Sequence, residues 1–167
     1  MTTTPKIPLA FTWSRIEDFS ALQWHAILAA RIAVFVLEQN CPYQEADELD
    51  ARSWHLLAHV DGQLAAYLRV VDPGQKPGHD GRGYAEPSIG RVLTTAAFRG
   101  KGFGQQLMRE GIDGCERLFP NQGIRISAQS YLLAFYRELG FQAVGEQYDE
   151  DGIPHFVMWR PATKTAI

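Results

Sequence analysis

Cysteine is nearly missing from this sequence: Cys41 and Cys115 are the two in 167 residues. So few and so far apart, they exclude a disulfide framework and a thiolate zinc site, and leave reduced thiols as the reading, with no metal expected. An excess of basic charge is missing too. At a formal net charge of −3 the chain has no general attraction for nucleic acid or an anionic membrane, so small molecules are the expected partners. The opening MTTTPKIPLA has neither the basic start nor the apolar core of a signal peptide, and no later run of about 18 apolar residues reads as a membrane span. The expected location is the cytoplasm. Repeats and low-complexity tracts do not occur. Two nucleotide motifs also fail: no Gly-Lys is followed by the Ser or Thr of a Walker loop, and G-x-G-x-x-G breaks because Phe103 stands three residues after Gly100 and Gln105 three after Gly102.

What is present is an ordinary composition, 46% hydrophobic and 21% charged. The length makes one domain the expectation, residues 1–167 with an ordered core of about 11–160 and unstructured tails. The pattern is mixed α/β. Residues 11–16 read as a strand, and Ser20 with Gln23 forms a capping box that opens a helix to about Gln39. Leu22, Ile27, Ile32, Phe35 and Val36 fall on one side of that helix, with alanines on much of the rest, so it is expected to be well buried. HLLAHV and QLAAYLRVV flank Asp61-Gly62, a pair suited to a two-residue hairpin. Residues 72–88 carry enough Pro and Gly to be a long loop. SIGRVLTT is the next strand, followed by a helix over about 103–119 with Phe103, Leu107, Met108, Cys115 and Leu118 on one side. IRISAQ reads as a strand, SYLLAFYRELG as a short helix stopped by Gly140, and FQAVG and HFVMW as strands either side of the turn DEDG.

The stretch FRGKGFG sits where a strand becomes a helix. First-turn N–H groups have no intrahelical partner and carry the positive end of the helix dipole. Glycines at alternate positions let an anion approach the main chain and permit the backbone angles of an N–H nest, and Arg99 and Lys101 add charge. The position predicts a phosphate site. Arg99-Gly100-Lys101-Gly102-Phe103-Gly104 resembles the [QR]-x-x-G-x-[GA] signature of the GCN5-related N-acetyltransferase (GNAT) superfamily. With RIAVFVLEQNCPYQEADELD, GRVLTTAAFRGKGFGQQLM, AQSYLLAFYRELGF and YDEDGIPHFVMW, the chain is similar to the ElaA-like branch from about residue 11 to 160.

That resemblance implies a central mixed sheet of six to seven strands flanked by helices, splayed between strands 4 and 5. It implies acetyl-CoA as cofactor, its diphosphate on Arg99 to Gln105 and its pantetheine arm on main-chain groups around Leu93, Thr94 and Thr95. Gln129 stands where many relatives carry a cofactor-holding Asn, and Tyr136 where many carry the proton donor to the departing thiolate. A tyrosine near pKa 10 lies above a thiol near 8.5, which favours a hydrogen bond to sulfur over full transfer. The resemblance further implies a primary amine as acceptor, and an ammonium near pKa 10.4 costs roughly 4.6 kcal/mol to deprotonate at pH 7. Glu38, at the end of the long helix, and His155 are the candidate bases. Arg69 and Arg91 interrupt apolar strands. Buried charge needs a partner, so they either line the acceptor cavity or pair with acids such as Glu38, Asp47 or Asp50. Two arginines in that cavity would suit an acceptor bearing a carboxylate. A non-catalytic acyl-CoA sensor and a transferase for a longer acyl group are the alternatives, and a homodimer is compatible with the sequence.

Overall fold

A computed structural model describes residues 8–163, so the expectation for the chain tails lies mostly outside the described residues. Seven strands form one mixed sheet in the order β1-β2-β3-β4-β5-β7-β6: β1 Ala10–Ser14, β2 Ser53–Val60, β3 Gln63–Val71, β4 Ser88–Thr94, β5 Ile124–Gln129, β6 Gln142–Glu150 and β7 Ile153–Arg160. Neighbours are antiparallel except β4 and β5, which are parallel. The β2–β3 hairpin turns on Asp61 and Gly62, both at positive φ (48° and 77°), as the two-residue loop requires. The β6–β7 hairpin uses Asp151 and Gly152 in the same way, so β6 runs five residues beyond the FQAVG expected from sequence.

Two irregularities aim side chains. Between the register pairs Tyr67–Leu93 and Arg69–Gly90, Leu68 alone faces both Arg91 and Val92, a bulge in β4 with Arg91 at φ 53°. A second shift, between Val144 and Tyr148 on β6, sets Tyr148 opposite His155. The parallel contact of β4 with β5 is a single register pair, Ser88–Arg125. It is reinforced by the bond from Arg125 N–H to the Pro87 carbonyl (3.0 Å) and a two-pronged Arg125–Glu86 ion pair (2.7 and 3.0 Å). Past it the two strands part.

Helix α2, Phe103–Leu118, packs on the sheet with Leu107, Met108 and Ile112 against Leu68, Val70 and Ile89. Gly114 is required there, because a Cβ would lie 2.1 Å from the Trp13 ring. Of the side expected to face inward, Leu118 is partly exposed at the helix end. Helix α3 is Leu133–Glu138, and Phe141 after it is buried in the same core.

Helix α1, Ala21–Arg31, begins with the predicted Ser20–Gln23 capping box and continues as a π-helical segment over Ile32–Glu38. It is not well buried. Ile27 and Arg31 are the buried residues of α1, whereas Leu22, Ile32 and Leu37 are exposed (81%, 41% and 71%). The reason is that the inward stripe runs along a different line: Trp24, Ile27, Ala30, Val34 and Phe35 pack with Leu57, Tyr67 and Leu93, with Arg31 buried beside them, and Leu22, Ile32 and Leu37 fall outside it. Ala21–Glu38 is, by length and composition, apolar enough to cross a membrane, which corrects the expectation that no such run exists. Its Arg31 is fully buried in an ion network with the rest of the fold.

Candidate active site

From β4 the chain passes through a short turn, Ala96–Phe98, into Arg99-Gly100-Lys101-Gly102 and then α2. Gly100 and Gly102 are both at φ 73°, with space around the position of a Cβ, so their conformation is what demands glycine. Among the described residues the amides of Gly100 to Gln105 donate to no protein acceptor. Gly104 has an ordinary helical φ, and a Cβ there would meet the Thr94 hydroxyl at 3.6 Å, a normal contact. Nothing in the protein requires glycine at 104, and its bareness keeps the helix N-terminus open. This cradle of free N–H groups, with exposed Arg99 and Lys101 beside it, fits a diphosphate. Phe103 offers only its main chain, since its ring is buried with Val60 and Ala65.

Where β4 and β5 diverge lies a cavity of about 840 Å³. Gly90, Arg91, Val92 and Thr94 line one wall and Ile126, Ser127 and Gln129 the other. Thr94 is therefore on the open edge. The Leu93 side chain is turned away, buried against Tyr67, and Thr95 is tied back to β3 through its N–H to Ala65 O (2.9 Å) and its hydroxyl to Leu64 O (3.1 Å). Val92 joins Thr94 on the cavity wall. The bulge at Arg91 shifts the strand's alternation, which the sequence does not reveal. Gln129 donates to the Gln39 side chain (3.2 Å) across the cleft.

Tyr136 lines the cavity from α3, with 8% of its surface exposed. Burial pushes its phenol up to about 12, with the nearby Tyr131 adding to the effect. His155, on β7, donates from Nδ1 to the Ile153 carbonyl (2.7 Å), because a carbonyl can only accept. In the neutral ring Nε2 then carries the lone pair, and it lies 3.7 Å from a Glu150 carboxylate oxygen. Ser127 donates to Glu150 (2.8 Å) and bonds to the Tyr148 hydroxyl, and the Tyr148 ring lies between His155 and His79. Glu38, the other candidate base, is exposed and ion-paired with Arg99 (2.8 and 3.0 Å).

Behind one end of the cavity sits a network of three guanidiniums and three carboxylates. Arg31 donates to Glu45 (2.6 Å) and Asp50 (2.8 Å), Arg69 to Asp47 (2.6 Å) and Asp50 (2.7 Å), and Arg91 to Glu45 (2.9 Å) and Asp47 (3.4 Å). Tyr43 caps Glu45 through its hydroxyl and lies under the Arg91 guanidinium. Burial raises the Asp50 carboxyl, but the bonds from Arg31 and Arg69 outweigh it and hold Asp50 below the usual range. Burial likewise opposes the charge on Arg69, and Asp47 and Asp50 overcome it. Asp47 and Asp50 are thus the partners expected for the arginines, Glu45 is an unexpected third, and Glu38 is not one. The charges cancel, so Arg69 and Arg91 line the cavity without giving it a net positive charge. Beside the network His55 accepts from the Tyr67 hydroxyl at Nδ1 (2.6 Å) and donates from Nε2 to the Asp50 carbonyl (3.0 Å). Burial lowers its pKa to about 4.

The acetyltransferase (GNAT) domain profile matches residues 24–160. A UPF0039 protein of Synechocystis is 44% identical over 149 residues, 89% of this chain and 92% of the relative. Protein ElaA of Escherichia coli is 41% identical over 147 residues, 86% of this chain and 91% of the relative. The crystal structure of an acyl-CoA N-acyltransferase from Pseudomonas aeruginosa superposes with a TM-score of 0.82 at 44% identity, covering 92% of this chain and 99% of that one.

Proposed function

The chain belongs to the acetyltransferase (GNAT) domain family, whose members are acyltransferases, and from that premise we propose that it moves an acetyl group from acetyl-CoA directly to a primary amine. The observation that carries this reading is the run of unpartnered amides from Gly100 to Gln105 at the mouth of the cleft where β4 and β5 separate. Bound there, the cofactor supplies an acyl thioester. The free amides with Arg99 and Lys101 take its diphosphate, and the open edge at Val92 and Thr94 offers main-chain groups to its arm.

At the acceptor end Glu150 and Asp151 attract an ammonium. The His155 Nε2 lone pair, held outward by the Nδ1 bond to Ile153, takes its proton. Tyr136 keeps its own proton at neutral pH, because burial holds its phenol near 12. It therefore acts by donating a hydrogen bond to the departing sulfur. Glu38 is a weaker base candidate because Arg99 already engages it. The internally balanced arginines supply no call for a carboxylate on the acceptor. Free, buried Cys41 and Cys115 suit a reducing cytoplasm.

Titration calorimetry with coenzyme A tests the cradle, and thiol release from a series of acyl-CoA chain lengths against a panel of amines tests the transfer. Binding without thiol release would leave a non-catalytic sensor. Absence of binding heat would remove both readings.

A further inference from the structure

The loop between β3 and β4 carries an amine of the protein's own into the cavity. The loop folds on itself through a bridge between Pro77 and Gly83 and the bonds from Tyr84 N–H to the Lys76 carbonyl (2.8 Å) and from Gly74 N–H to the Tyr84 carbonyl (2.9 Å). His79 at its tip stacks on Tyr148, the rings 4.0 Å apart and 10° from parallel. So held, Lys76 lines the acceptor end of the cavity with Arg69, Arg91, Asp47 and Glu150. Among the described residues its ammonium has neither a hydrogen bond nor an ion pair.

Composition sharpens the point. The chain has twelve arginines and four lysines, Lys6, Lys76, Lys101 and Lys164. Lys6 and Lys164 lie outside the described residues, and Lys101 is exposed on the glycine loop. A guanidinium stays protonated and does not attack an acyl carbon. Of the cavity cations Arg69, Arg91, Arg99 and Lys76, only Lys76 can become a nucleophile. Its surroundings favour that form: burial lowers the pKa of the amine, and Arg69 and Arg91 push the same way against Glu150 and Asp47.

We propose that Lys76 is an internal acceptor, a self-acylation site at the acceptor end of the transferase cavity. The proposal rests on the acyl-transfer reading above. The Nζ lone pair forms the bond to the thioester carbonyl carbon, the C–S bond breaks, and its electron pair leaves on sulfur. Of the two protons the ammonium loses, one ends on that sulfur and the other passes to solvent, leaving a neutral amide on Lys76 and free coenzyme A. The acylated side chain then fills the end of the cavity that an external amine would enter, so the modification limits turnover when acceptor is scarce.

The test is peptide mapping by mass spectrometry of the full chain incubated with acetyl-CoA and no acceptor, beside calorimetry with coenzyme A. The expected result is one acetyl group per chain, on Lys76, appearing at a rate independent of protein concentration, suppressed by excess coenzyme A and absent in Lys76→Arg. Binding of coenzyme A with Lys76 unmodified overturns self-acylation and leaves the transferase reading intact. Label spread over Lys101 and the chain terminus at rates untouched by coenzyme A overturns it as well, since that is solution chemistry. Failure to bind coenzyme A removes both.

Discussion

The two ends of the cleft are built by opposite means. The cofactor end is contiguous: Thr94 to Gln105 supply an open strand edge, two glycines at positive φ and a row of free amides, with charge added at the surface by Arg99 and Lys101. The acceptor end is assembled from across the chain. Arg31 comes from α1, Glu45, Asp47 and Asp50 from the connection to β2, Arg69 from β3, Arg91 from a bulge in β4, Lys76 from the long loop and His155 from β7. One end recognises with main chain and tolerates changes of side chain; the other depends on side chains that the fold must bring together with their charges matched. A local backbone shape can be written as a glycine pattern, whereas a balanced network of buried charge cannot.

Removing a charge from each end tests that difference most sharply. Asp50→Ala takes one of two carboxylate partners from each of two buried guanidiniums and is expected to cost about 3–5 kcal/mol of stability, read by denaturant unfolding, because Asp50 serves both Arg31 and Arg69. A loss below about 1 kcal/mol would show that the network is not what secures the acceptor end. Acid provides the next largest effect. The folded-state pKa of His55, about 4, lies below its unfolded value near 6.5, so the unfolded chain binds more protons in that window. The stability it contributes is full above pH 6.5 and falls by up to about 3 kcal/mol as pH drops to 4; His55→Gln should flatten that part of the curve.

Gly104→Ala separates folding from binding at the other end. A helical alanine in place of glycine should raise stability by up to about 1 kcal/mol, with no protein atom in the way, while coenzyme A affinity stays within about threefold, under about 0.7 kcal/mol, because the glycine-loop signature admits alanine at this place. A loss of about tenfold or more would mean that the ligand presses on residue 104 more closely than the signature allows. Glu38→Gln is expected to do least. Its pair with Arg99 is exposed on both sides, so stability should change by less than about 1 kcal/mol, and turnover should persist. A fall in kcat of about 100-fold would transfer the role of base from His155 to Glu38.

Most of the architecture is legible in the sequence because its signals are local. Asp61-Gly62, the Ser20–Gln23 box and the apolar spacing of α2 each fix an element from within about twenty residues. The glycine loop is legible for the same reason. The wider match of sequence segments points to the family, which the relatives and the GNAT profile bear out. Illegible were the features set by tertiary contact. The face of α1 reads as an apolar stripe, but the side that packs carries Trp24, Ile27 and the buried Arg31 and leaves Leu22 and Leu37 in solvent. The extra residue at Arg91 puts Val92 in the cavity wall and turns the Leu93 side chain away, and no residue type announces a bulge occupied by arginine. Asp47 and Asp50 were within reach of the sequence because a buried arginine demands an acid. Glu45, Glu150 and Lys76 were not, since nothing local requires them to face one cavity.

The lone register pair between β4 and β5 makes the molecule a lever. Strands β1 to β4 are one arm and β5 to β7 the other, and Ser88–Arg125, riveted by Glu86, is the fulcrum. Whatever is wedged between the arms sets their spread, while at the far end the Gln39–Gln129 contact is a weak latch. Below the fulcrum Ile89, Ile124, Ile126 and Met158 share one core with Leu107 and Ile112 of α2, so the two arms have a common footing and separate only above it.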